Sequence, residues 1–80
     1  MVTYNSIHQL LQALEKEYNF INKTAQKELE KLITTKLFKL GCGSIYLDIV
    51  FEYSRYYFTI RMHLRNGKIS YEILKNQTES

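Results

Sequence analysis

The sequence has no proline and only three glycines in 80 residues, so no flexible interdomain linker can be drawn from it. Its one cysteine, Cys42, excludes an internal disulfide framework. His8 and His63 are the only histidines. With so few good ligands a structural zinc site is not expected, and neither is any other cofactor. No apolar run approaches the roughly 18 residues that span a bilayer, and Met1 to Gln9 lacks the basic cluster and apolar block of a signal peptide. These absences predict a cytoplasmic chain without a membrane partner.

What is present is enough to fold. The chain is 45% apolar and 24% charged, which supplies the apolar surface that disordered segments lack. It is too short to fill two cores, so residues 1–80 read as a single domain. The formal net charge of +3 permits contact with phosphates without demanding it. The whole excess can be assigned to residues 22–40, where Lys23, Lys27, Lys31, Lys36 and Lys39 face only Glu28 and Glu30. No internal repeat or low-complexity tract interrupts the chain.

Apolar periodicity divides the sequence in two. Ser6 with Gln9 forms a capping-box pattern, after which Ile7, Leu10, Leu11, Leu14 and Tyr18 recur at helical spacing, predicting a helix over about 6–18. Asn19 to Asn22 breaks that pattern. Asn22 or Thr24 can cap a second helix over about 22–40, with the stripe Ala25, Leu29, Leu32, Ile33, Leu37 and Leu40 and with Gly41 as its terminator.

From Ser44 the period changes to two, predicting strands over about 44–53, 56–65 and 68–75. Ile45, Leu47, Ile49, Phe51 and Tyr53 share one face of the first. Asn66-Gly67 is a strong signal for a tight hairpin, because both central residues of its turn need positive φ. If Ser54-Arg55 is also a two-residue turn, Phe51 falls opposite Phe58, Ile49 opposite Ile60 and Ile73, and Leu47 opposite Met62 and Tyr71. Turn chemistry and periodicity then agree on one register. The expected fold is α+β: two N-terminal helices packed on one face of a three-stranded antiparallel meander, in the order ααβββ.

That register also writes the solvent face as rows: Ser44, Arg65 and Lys68; Tyr46, His63 and Ser70; Asp48, Arg61 and Glu72; Val50, Thr59 and Leu74; Glu52 and Tyr57. An enzymatic reading would use Asp48 and Glu72 as acid and base, or His63 with Tyr46 as a proton-transfer pair. The rest of a site is missing: no Gly-rich phosphate loop, no nucleophile beside an obvious base, and little concavity. Cys42 follows a helix C-terminus, where the dipole disfavours a thiolate. The chain is therefore read as non-enzymatic, with Arg61 pairing with the carboxylates on either side of it.

Two surfaces are candidates for partners. On the sheet, Tyr46, Tyr57 and His63 could stack bases while Arg61, Arg65 and Lys68 met phosphates. Asp48, Glu52 and Glu72 share that face, so the cationic part contracts to Arg65 and Lys68. On the second helix, Lys23, Lys27, Lys31, Thr34 and Phe38 lie roughly opposite the apolar stripe. Lys23, Lys27, Lys31, Phe38, Arg65 and Lys68 are the expected partner-binding residues, with protein ahead of nucleic acid as the partner class. Both edge strands are expected to be free, and the outer face exposes Tyr46, Val50, Tyr57 and Leu74. That combination predicts self-association, as a homodimer.

The order of two helices and a meander, with Leu40-Gly41-Cys42-Gly43-Ser44-Ile45-Tyr46 at the junction, resembles the core of RelE-like ribosome-dependent toxins over about residues 22–75. The leading strand of such toxins is missing and no basic catalytic tail follows Lys75, so the resemblance does not carry a ribonuclease activity across. The alternative to the protein-binding reading is a nucleic-acid-binding regulator, or a protein related to such toxins, using the Arg65/Lys68 corner and the lysines of the second helix. Small size and a Lys/Asn/Ile/Tyr-rich composition also resemble accessory proteins of phages and mobile elements, including anti-CRISPR inhibitors, an analogy of class.

Overall fold

The computed structural model describes residues 2–40 and 45–74. It has helices α1 (Ile7–Tyr18) and α2 (Lys23–Leu37), then strands β1 (Tyr46–Tyr53), β2 (Tyr56–Arg65) and β3 (Lys68–Leu74). The strands form an antiparallel sheet in the order β1-β2-β3, so the ααβββ arrangement expected from periodicity is the one observed.

Local chemistry accounts for each boundary. Extended Ser6 accepts the Gln9 N–H at 3.1 Å, while the Gln9 side chain accepts the N–H of Asn5 rather than that of the cap itself. Asn19 ends α1 in the left-handed region at φ 56°, a conformation asparagine tolerates better than most side chains. Asn22, not Thr24, caps α2 by accepting the Ala25 N–H at 3.0 Å. This helix closes at Leu37, earlier than its apolar stripe suggested. The chain then turns, with the N–H groups of Lys39 and Leu40 bonding the carbonyls of Lys36 and Leu37, and that turn still delivers Leu40 to the core. Gly41, Cys42 and Ser44 lie outside the described residues, as does Lys75.

Both hairpins have two-residue turns. Ser54 (φ 57°) helps form the first; Asn66 (φ 54°) and Gly67 (φ 75°) form the second. Register follows: Phe51 opposite Phe58, Ile49 opposite Ile60 and Ile73, Leu47 opposite Met62 and Tyr71. The inward face is covered by α1 against β3 and α2 against β1, and Leu10, Leu14, Leu29, Ile33, Ile49, Ile60 and Met62 are almost fully buried beneath them.

Three expectations change. Ile45 is 73% exposed: it precedes β1 instead of extending its inward face. The interhelical break is not merely a linker, because Phe20 is fully buried and meets Phe51, Tyr56 and Phe58 edge-on, with ring centroids 4.8–5.8 Å apart. Nor is the outer edge of β3 free. Tyr4 and Tyr71 exchange two backbone hydrogen bonds of 2.8 Å, so the segment before α1 lies along that edge.

Candidate interaction surface

The outer face of the sheet collects the chemistry-bearing side chains, and backbone register decides which of them meet. Asp48, Arg61 and Glu72 occupy one row, as expected. Arg61 does not bridge both carboxylates. Its Nε and one terminal nitrogen donate to the two oxygens of Asp48, at 2.6 and 2.9 Å. This fork geometry satisfies Asp48 by itself.

Glu72 turns instead toward the adjacent row, where its Oε1 lies 3.0 Å from His63 Nε2. Tyr46 is likewise not a partner of His63. The Arg61 guanidinium lies 4.5 Å from the centre of the Tyr46 ring, a cation–π contact. The result is two diagonal units, Tyr46–Arg61–Asp48 and His63–Glu72, where a row-by-row reading of the face gave one triad and one aromatic pair.

Electrostatics match this geometry. The hydrogen bonds from Arg61 hold the Asp48 carboxyl below its usual range, and reciprocally raise the Arg61 guanidinium above its already high ordinary value. Both units therefore consist of groups already engaged with a neighbour. Among the described residues no group of three or more His, Cys, Asp or Glu side chains could hold a metal ion.

Apolar exposure is concentrated on one side of the face. Tyr46 (49% exposed) and Val50 (57%) belong to β1, Tyr57 (40%) is on β2 opposite Glu52, and Ile45 adjoins the start of β1. Leu74, expected in the same patch, is half-buried at the far end of the Val50–Thr59–Leu74 row. Compared with protein-family models, curated proteins and solved structures, the chain matches none of them.

The basic candidates fall into two separate places. Arg65 and Lys68 are neighbours across the second hairpin, both exposed, beside a shallow cleft of about 280 Å³ that Thr3, Asn5, Asn66, Ile69 and Ser70 also line. No carboxylate lines that cleft. Lys23, Lys27 and Lys31 are exposed along α2, and Lys23 reaches Glu15 of α1 at 3.5 Å. Phe38, the C-cap of α2, is 82% exposed. No described helix is long and apolar enough to cross a membrane.

Sequence reasoning missed the structural use of Gln26. It is buried on α2, donating to the Phe20 carbonyl at 2.8 Å and to Glu15 at 2.7 Å. An amide inside an otherwise charged helical stretch gave no periodic signal, although its spacing from Asn22 and Leu29 places it next to the inward stripe.

Proposed function

We propose that the chain is a non-enzymatic interaction module that binds another macromolecule, a protein, through the β1 side of its outer sheet face. One observation carries the reading: the exposed apolar side chains of that face gather at β1, around Tyr46 and Val50, while Asp48 between them is held by Arg61, His63 is paired with Glu72, and the exposed carboxylate of Glu52 lies at the end of the strand. A partner covering Tyr46 and Val50 meets an Asp48 charge that Arg61 already compensates, and has only Glu52 to pair or to leave in water. The face is an open sheet surface that does little to exclude water, which favours a binding role over acid–base chemistry.

The test compares the wild-type chain with Val50→Asp and with Phe38→Ala, by light scattering and by titration against candidate protein partners. Val50→Asp places a second carboxylate beside Asp48 in the patch and abolishes the association. Phe38→Ala leaves it intact wherever association uses the sheet face, and weakens it where the α2 terminus is the contact. An unchanged association in the Val50→Asp protein would overturn the assignment to β1.

A second reading, a nucleic-acid-binding regulator, draws on the Arg65/Lys68 corner, where two cations adjoin a cleft lined by polar groups and free of carboxylates. Its signature is affinity for mixed-sequence single strands that falls steeply with salt, with the slope reduced by about one for each of Arg65→Ala and Lys68→Ala.

A further inference from the structure

The two edges of this sheet are not equivalent, and their difference limits how copies can join. Along β3, the segment containing Tyr4 occupies the middle of the edge through its paired bonds to Tyr71. Along β1, among the described residues, no backbone bond reaches the outer edge. Leu64 donates its N–H to the Ile45 carbonyl at 2.8 Å. The alternation of an antiparallel ladder then directs the odd-numbered residues of β1 toward β2 and points the N–H and C=O groups of Tyr46, Asp48, Val50 and Glu52 outward.

We propose that a second copy of this chain is the occupant of that edge: β1 pairs antiparallel with β1 about a two-fold axis at Ile49, fusing two three-stranded sheets into one. This rests on the β1 reading above and names its partner.

Charge selects the register. An axis at Asp48 sets that carboxylate against its own copy, and an axis at Val50 sets Asp48 against Glu52 twice, both unfavourable like-charge pairs. An axis at Ile49 places Asp48 opposite Val50 and Glu52 opposite Tyr46. It also gives the longest overlap, pairing every outward-directed residue of β1. Glu52 of one copy then lies beside the Tyr46 ring of the other, over which that copy's own Arg61 guanidinium sits, so opposite charges approach across the seam. Asp48, with both oxygens held by Arg61, enters the seam already compensated. The occupied β3 edge makes the assembly close at two copies, since extension would have to displace Tyr4.

Amide hydrogen exchange on the 80-residue chain tests this directly, at about 1 mM and about 10 µM, alongside the mass from sedimentation equilibrium. The expected result is a dimer at the higher concentration in which the amides of Asp48 and Val50 exchange about tenfold or more slowly than in the dilute sample. A Val50→Pro variant should be monomeric with the β2–β3 ladder still protected, because the N–H it removes faces outward. A mixture of Asp48→Cys and Val50→Cys chains, each also carrying Cys42→Ser, should form the crossed disulfide. A dimer whose Asp48 and Val50 amides exchange equally fast at both concentrations would overturn edge pairing while leaving a face-mediated interaction module standing. A monomer at 1 mM would overturn the second copy as occupant, and the protein-binding reading would then rest on its own titrations.

Discussion

Phe20 meets Phe58 edge-on, ring centroids 5.1 Å apart, although one residue belongs to a connection between helices and the other to the central strand. Phe20 also contacts Phe51 and Tyr56, so the short connection is pinned at the aromatic end of the core. Truncating it to alanine removes a fully buried ring and leaves a cavity that the rigid hairpin below cannot fill. Phe20→Ala should cost about 3–5 kcal/mol in urea unfolding, a large part of the stability of so small a domain.

The same connection depends on one polar anchor. Gln26→Met keeps most of the side-chain volume but removes the donor to the Phe20 carbonyl. Loss of that bond should cost about 1–2 kcal/mol and speed amide exchange around residues 20–22 while leaving the strands unaffected. Equal acceleration across β2 would show instead that Gln26 supports the whole core.

Asp48 provides a pH test. Its folded carboxyl ionises below the usual range because Arg61 donates to both oxygens. The pair's contribution is therefore complete above the ordinary value of 3.8 and disappears as the pH falls through the lower folded value. Asp48→Asn should be less stable than wild type at pH 7, with the two urea midpoints converging as the pH falls below 3.8. A difference that does not shrink as acid is added would place the effect in packing and not in charge.

Tyr4→Pro tests whether the occupied edge limits assembly. Proline removes the N–H that bonds the Tyr71 carbonyl, together with a ring that packs against the core, and leaves the pairing of β1, β2 and β3 in place. With β3 uncovered, light scattering should show species larger than a dimer, growing with concentration. A variant with the wild-type mass distribution would mean that the bridge is not what limits growth.

Most of this fold could be read from the residues because its signals were local and mutually consistent. Asn66-Gly67 fixed one turn, the alternation from Leu47 to Tyr53 and from Tyr56 to Leu64 fixed the faces, and together they left one register, which the structure adopts. Three features escaped for a shared reason. Phe20 sits outside any periodic run, and its burial depends on where two helices and a hairpin converge. Tyr4 finds its partner at the opposite end of the chain. Arg61 and Glu72 are neighbours by register, yet side-chain reach sends each to a different partner. Backbone pairing follows from spacing; the choice among adjacent side chains follows from three-dimensional geometry that spacing does not encode.

The Tyr4–Tyr71 bridge also bears on how the protein emerges from the ribosome. α1 and α2 are made first, but α1 packs against β3, the last strand to be made, and the bridge joins nearly the first described residue to nearly the last. Synthesis from the N-terminus therefore delivers two amphipathic helices ahead of the sheet that buries them. Folding of this domain waits on the emergence of β3, and a ribosome stalled before β3 would hold a nascent chain with incompletely covered helical stripes, a substrate for chaperones.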